Sequence, residues 1–327
     1  MSEGQDTSVN LYIYVPNKGA PIFFAVAFVA VCISHILQIR RYGDWTLTFL
    51  HPLCCLMFTV GFALREYGAF DHYLYTTENL NVYIASTCLV YMSPPLLELA
   101  NFHVLGRVLY FVPYCAPLHP GRVLTTFGFL SALVETLNAI GVEYLANNSL
   151  PRNLINLGSI LLKTGLVLQL VVIALFILCT SVFHHRCAQL SITSNDKVVV
   201  PVRVMYVSTG LILVRTVYRT VEYFGYDRFN AADQLSPILK DEWFFYVFEA
   251  TLMLLNSFMW SLFHPRRYLP GNNRVFLKKD GVTESEGSGW KDGRLLWVTF
   301  LDPLGWFIGM DKEAVSAHPT TTTGGGK

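Results

Sequence analysis

The chain has 327 residues, of which 53% are hydrophobic and 14% charged, and its formal net charge is +1. Soluble domains carry about 25% charged residues, so this balance points to an integral membrane protein. The near-zero net charge, with no basic stripe interleaved with aromatics, gives no support for a nucleic-acid partner. The seven cysteines are odd in number and lie in apolar runs or in loops expected in the cytosol, so neither a disulfide framework nor a zinc spacing follows from them.

Residues 1–20 are mostly polar, carry Glu3 and Asp6 and lack a basic n-region, so the first apolar run is expected to be a retained span. Seven apolar runs follow: Pro21–Leu37, Trp45–Leu64, Val82–Leu105, Val123–Val142, Leu157–Phe183, Val204–Phe224 and Trp243–Phe263. Most reach the ~20 residues that a helix needs to cross a bilayer; the first is at the short end. The third contains Ser93-Pro94-Pro95, which removes backbone donors and predicts a kink or break in mid-membrane.

Arg40, Arg41, Arg107, Arg122, Arg186, Lys197, Arg203, Arg266, Arg267, Arg274, Lys278 and Lys279 follow the odd-numbered runs. The opposite loops hold fewer basic residues, so the amino terminus is expected outside the cytosol and the carboxyl terminus inside. An acceptor triplet for glycosylation, Asn147-Asn148-Ser149, falls on the expected outer side. The expected organisation is an extracytosolic segment 1–20, a seven-helix transmembrane domain 21–265 and a cytosolic tail 266–327. Within the tail, residues 270–293 resemble a flexible link, and residues 294–310, with Trp297, Trp306 and Phe307, an interfacial segment.

The sixth and seventh runs carry the most informative polar residues. Arg215, Arg219 and Glu222 stand at i, i+4 and i+7, within about 60° of arc on one helical face. Tyr218 borders that face, and Glu249 lies inside the seventh run. Intramembrane charges cost about 2.5–3.5 kcal/mol each on insertion scales and therefore face partners or water. At about 1.5 Å per residue, Glu135 and Asn138 of the fourth run and Lys163 and Gln169 of the fifth share this depth. Two readings stay open: a polar network that holds helices together, and a cavity open to the outer leaflet. Two arginines one turn apart exceed what one acid needs, and a guanidinium fork suits a phosphate or carboxylate head group. On the first reading Arg219→Lys should matter little; on the second it should cut binding.

His35, Gln38, His51, Glu98, His103 and His264 form a second polar set nearer the opposite face. A metal hydrolase would need ligands there, but no helical His pair has ligand spacing, and the adjacent His184 and His185 cannot share a face. The seventh run contains no lysine, which excludes a retinal Schiff base there. No Gly-rich phosphate loop is present, and neither a metal nor any other cofactor is expected.

The strings LILVRTVYRTVEYFG and EWFFYVFEATLMLL…FHP, with YVPN at Tyr14–Asn17, LREYG at Leu64–Gly68, LGR at Leu105–Arg107 and TGLVLQLVVIALF at Thr164–Phe176, resemble the fungal RTA-like, or lipid-translocating exporter, family. The resemblance covers roughly residues 11–270. One departure is in the fourth run, where Ser131 and Asn138 stand where the family tends to carry Asp and Gln; Glu135 supplies an acid one turn away. The resemblance implies an all-α seven-helix membrane protein of the plasma membrane or endomembranes, without enzymatic activity. It would move sphingoid bases, sterol-like or other lipid-like compounds in lipid homeostasis or toxic-compound resistance. Its partners would be membrane lipids and an amphipathic small molecule, with a homo-oligomer left open. On that reading Arg215, Arg219, Glu222, Glu249, Glu135, Asn138, Gln169 and Tyr218 bind the substrate. A seven-helix receptor or lipid sensor, and after it a metal-dependent membrane hydrolase, are the alternative readings.

Overall fold

A computed structural model describes residues 16–43, 45–70, 77–146, 150–192, 195–225, 237–272 and 274–287. The acceptor triplet at Asn147 and the expected interfacial segment 294–310 lie outside the described residues. Seven helices are long and apolar enough to span a membrane: α1 (Ala20–Tyr42), α2 (Leu50–Phe70), α3 (Thr77–Phe111), α4 (Pro120–Ala146), α5 (Arg152–Gln189), α6 (Asp196–Gly225) and the composite α7 (Trp243–Arg267). Their outward faces carry large apolar side chains such as Phe23, Ile160 and Leu178, each at least 60% exposed. Such a surface is a liability in water and suits lipid.

The helices form a ring in sequence order, with α7 closing against α1, α2 and α6, and α3 crossing to α6 through the centre. The helix ends define two ends of the bundle: the amino-terminal end, with Asn17 and Trp243, and the hairpin end, with Tyr42 and His264. Start and stop signals are local. Gly43, in the left-handed region (φ 67°), ends α1 and donates its N–H to Ile39 O after Arg40 and Arg41 in the last turn. Asn195 Oδ1 accepts from Lys197 N at 3.0 Å and caps the start of α6.

Two apolar cores share the interior. Phe24, Phe28, Phe58 and Phe62 stack where α1 meets α2, with centroids 4.4–6.3 Å apart. Phe102, Phe127 and Phe176 join α3, α4 and α5. The α4–α5 pair approaches closely because glycines face each other. A Cβ on Gly158 would lie 2.7 Å from Tyr144 Cβ and 3.0 Å from Gly141 O.

Two expectations are refined. Of the kink or break expected at Pro94-Pro95, the break does not occur: α3 is one 35-residue helix with both prolines inside it. Just before them, Ser93 Oγ donates to Leu89 O at 2.7 Å. The missing donors fall opposite the carbonyls of Val90 and Tyr91, one turn earlier.

The expected flexible link also contains structure. Strands β1 (Val275–Leu277) and β2 (Glu284–Glu286) form an antiparallel hairpin with Phe276 opposite Ser285. Side chains from the bundle hold it. Arg107 Nη2 donates to Pro270 O and Asn272 O at 3.1 and 2.6 Å. Tyr110 and Tyr114 donate their hydroxyls to Arg274 O and Lys278 O, and Lys197 pairs with Glu284 at 2.6 Å. A composition rich in Gly, Lys and Asp gives no hint of partners supplied by another helix.

Candidate functional site: a charged cavity among α3, α4, α5 and α6

The helical spacing of α6 places Arg215 and Arg219 on its buried face, 4% and 2% exposed. Glu249 comes to them from α7 with no exposure at all. Arg215 Nε donates to Glu249 Oε1 and Oε2 at 2.8 and 3.0 Å. Arg219 Nε lies 3.0 Å from Oε2 of the same carboxylate, and its Nη1 donates to Glu222. The Arg219 guanidinium also covers the Tyr91 ring at 3.6 Å, a cation–π contact that strengthens away from water.

Local backbone brings Glu249 into place. Residues Tyr246–Thr251 form a π-helical turn inside α7, and Thr251 Oγ1 donates to Tyr246 O at 2.8 Å. A π-turn inserts one extra residue into an α-helix, rotates the side chains that follow and is frequent at functional sites. Nothing in the apolar pattern of α7 announces it.

A cavity of about 90 Å³ adjoins the arginines. α3 lines it with Thr87, Cys88, Tyr91 and Met92, and α4 with Glu135, Asn138, Ala139 and Val142. α5 contributes Leu162, Leu166 and Gln169, and α6 Arg215, Arg219 and Tyr223. Asn138 Nδ2 lies 3.5 Å from Glu135 Oε1. Gln169 is buried. Glu98, buried one turn beyond the prolines of α3, faces Gln169 and feels both Glu135 and Arg215.

Of the residues expected at a site, Arg215, Arg219, Glu135, Asn138 and Gln169 therefore come together at one cavity. Glu249 stands behind the arginines, and Glu222 caps Arg219 from the side. Tyr218 lies outside the cavity lining: it stacks on Phe248 at 5.4 Å, lines an apolar groove with Val214 and Val221, and keeps its ring 6.0 Å from the Arg219 guanidinium. At 100° per residue, one step from Arg219 is enough to carry it round the helix. Lys163 is also apart, over the Phe224 ring at 5.4 Å. The open guanidinium fork is not found at Arg219, whose Nε and Nη1 are both held by acids.

A separate cluster closes the amino-terminal end. Arg65 Nη2 pairs with Glu242 Oε1 at 2.7 Å and lies over the Phe245 ring at 4.4 Å. Tyr246 OH and Asn17 N donate to Glu242 at 3.1 and 2.6 Å, and Gly19 N donates to Glu66. Sequence reasoning passed over Arg65, Glu242, Tyr91, Cys88 and Tyr223 as site candidates. The first two lay inside the strings LREYG and EWFFY, whose meeting in space was the available signal.

The second polar set is spread. His35 and His51 stack at 5.2 Å, Gln38 donates to Ser261 O at 2.5 Å, and His264 stacks on Tyr42 at 5.1 Å. Glu98 belongs with the cavity instead. Among the described residues, no group of three or more His, Cys, Asp and Glu side chains is placed to hold a metal ion.

Seven apolar-faced helices around a buried charged cavity define an integral, multi-pass membrane protein of the all-α class. The chain belongs to the RTA1-like family, whose model, described as RTA1 like protein, matches residues 52–272. It is 43% identical over 297 residues to a lipid-translocating exporter-like protein RTA1 from Leptosphaeria maculans, an alignment that takes in 88% of this chain. It is 30% identical over 238 residues to a protein of the same name from Ajellomyces capsulatus, covering 68% of this chain and 72% of that protein. A probable lipid transporter, atnI, from Emericella nidulans is 24% identical over 293 residues, covering 82% of this chain and 70% of that protein. The chain spans only 57% of the length of the Leptosphaeria relative. No solved structure matches it.

Proposed function

We propose that this protein moves amphipathic, lipid-like molecules across the membrane, with the polar head lodged in the cavity among α3, α4, α5 and α6. The names of its relatives, lipid-translocating exporter-like protein and probable lipid transporter, support transport over catalysis. The observation that carries the reading is the charge balance at the cavity. Glu249 and Glu222 already pair with Arg215 and Arg219, which leaves the Glu135 carboxyl on the cavity wall outside those ion pairs, 3.5 Å from Asn138. Such a site favours a head that donates hydrogen bonds and carries positive charge. Among the compounds implied by the family resemblance, sphingoid bases fit best, since they bear an amine and hydroxyls on an apolar chain. The apolar lining from Met92, Val142, Leu162 and Leu166 would take the start of the chain.

The test is flux in proteoliposomes of the purified full chain, with a fluorescent long-chain amine set against its neutral N-acetyl counterpart. The amine should cross and the amide should cross poorly. Glu135→Gln should lower amine flux by about 10- to 100-fold, the range of a charge-assisted hydrogen bond of ~1.5–3 kcal/mol. Equal flux of both compounds through wild type and variant would contradict the head-group assignment.

A further inference from the structure

A second buried polar site lies between α1, α2 and α7, apart from the charged cavity. His35 projects from α1 seven residues before its end at Tyr42, about 10 Å inside the hairpin end. Its ring stacks on that of His51 from the first turn of α2, at 5.2 Å and 12° between planes. His35 Nε2 faces Ser257 O of α7 at 3.0 Å. His51 is 1% exposed, yet neither of its ring nitrogens has a protein partner. On α7 both polar side-chain atoms of Asn256 are likewise buried without a hydrogen-bond partner, and the Ser257 hydroxyl is buried beside the Cys55 thiol.

Buried polar atoms of this kind take water when space permits, since leaving them bare is costly. They lie on one buried stripe of α7, formed by Asn256, Ser257, Trp260 and Ser261. Toward the hairpin end that stripe continues through Ser261 Oγ, which shares a 2.6 Å hydrogen bond with Ser34 Oγ, and on to His264. In the other direction Asn256 stands seven residues from Glu249, the acid behind the cavity.

We propose that His51, with His35 stacked on it, is an internal proton-binding site reached by water from the hairpin end, and that its charge couples transport to pH on that side. Imidazole is the side chain whose ordinary titration falls near neutrality. Two rings stacked face to face repel when both are charged, so the pair holds one proton at a time. A proton bound at His51 comes from water on the hairpin side and returns there, or passes on along the stripe, with no other bond made or broken.

The groups against His51 are His35 from α1, Trp260 from α7 and His264 beyond the end of that span, with Cys55 one turn on along α2. The charge has a receiver. His51 lies 5.6 Å from the Trp260 ring, which attracts an imidazolium over its face. Trp260 Nε1 donates to Asn101 Oδ1 of α3 and Ser208 Oγ of α6, both at 3.1 Å. Asn101 and Ser208 also bond each other at 2.8–3.0 Å. Trp260 thereby ties together the two helices that carry Tyr91, Arg215 and Arg219. A shift of the indole toward a charged His51 would loosen that tie and alter the cavity from one end.

This inference rests on the transport reading, and its test separates the two. The probe is a fluorescent long-chain quaternary ammonium amphiphile, which does not itself titrate, in proteoliposomes with the membrane potential clamped. Wild-type flux should change at least threefold when a pH gradient of one unit is imposed. His51→Asn, neutral at every pH, should keep flux but lose the gradient effect. Flux that ignores the gradient, or a gradient effect retained in His51→Asn, would overturn the proton site and leave transport standing. Absence of flux under every condition would overturn the transport reading, and the coupling with it.

Should His51→Asn fail to fold, nitrogen NMR of histidine-labelled wild-type protein in liposomes gives an independent answer. As the pH is lowered from neutrality, the His51 ring should pass from one protonated nitrogen to two before the protein unfolds. A single neutral tautomer down to the pH of unfolding would refute the site.

Discussion

Arg215 donates its Nε to both carboxylate oxygens of Glu249, and the same carboxylate lies within reach of Arg219 Nε. One buried acid thus joins two cations on α6 to the π-turn of α7. Removing one partner from a buried pair costs about 3–5 kcal/mol, because the other charge is left uncompensated. Glu249→Gln should therefore lower thermal stability in detergent sharply, with Glu249→Asp intermediate. A Glu249→Gln protein that melts with wild type would mean that the three charges are not coupled.

Arg219→Lys should also destabilise. The sequence suggested that a lysine could still pair with Glu222 three residues on. In the folded protein the guanidinium serves Glu222, Glu249 and the Tyr91 face together, and an ammonium cannot present a planar fork and a stacking face. A loss of about 1–3 kcal/mol is expected, measured as the melting temperature of purified protein with no substrate present. Unchanged melting would show that the planar geometry is dispensable.

Close helix contact makes its own demand. Gly158→Leu should separate α4 from α5, since even a Cβ there meets Tyr144 and Gly141 at 3.0 Å or less. Since both helices line the cavity, the variant should lose folded yield on size-exclusion chromatography, and substrate flux with it. Wild-type yield and flux would argue against this packing.

Much of this architecture was legible in the sequence. Bilayer thickness imposes a length on apolar runs, and all seven runs became helices. The spacing of Arg215, Arg219 and Glu222 was legible for the same reason, because helical periodicity fixes a face. Tyr218, one step from Arg219, falls where the face has turned: it stacks on Phe248 and its ring lies 6.0 Å from the Arg219 guanidinium. The charge of Glu249 inside the seventh run was legible, but not the π-turn that aims it, since a one-residue insertion leaves composition unchanged. The meeting of Arg65 with Glu242, 177 positions apart, depends on α2 and α7 being neighbours, which no local pattern states. The hairpin after Pro270 escaped because Arg107, Tyr110 and Tyr114 supply its anchors from a distant helix end.

The hairpin should respond to acid. Hydrogen bonds from the Thr283 side chain, then from the main chains of Thr283 and Val282, hold the Asp280 carboxyl below its ordinary value. The sign follows from that lowered value. The turn is held fully above the unfolded value of about 3.9 and is lost as pH falls through the lower folded one. Amide exchange at residues 281–283 should stay slow at pH 5 and quicken well below pH 4 by comparison with the rest of the chain. Asp280→Asn should exchange rapidly at both. Equal protection in wild type and variant would show that Asp280 does not set the turn.

The orientation expected from loop charges places the amino-terminal end outside the cytosol, which would put the mouth of the Arg65–Glu242 cluster there and the hairpin in the cytosol. Protease protection of sealed vesicles, with one tag at residue 147 and another at residue 274, should cut the two from opposite sides. Cleavage of both from one side would contradict this orientation.

The central claim, that an amphiphile's head enters the cavity among α3, α4, α5 and α6, is most directly tested by photo-crosslinking. A long-chain amine with a diazirine close to its head, activated in membranes containing the full chain, should mark the cavity-lining segments. Mass spectrometry should find the adducts within Thr87–Met92 and Glu135–Val142, with excess unlabelled amine suppressing them. Adducts confined to outward-facing residues such as Phe23, Ile160 and Leu178, insensitive to competition, would contradict it.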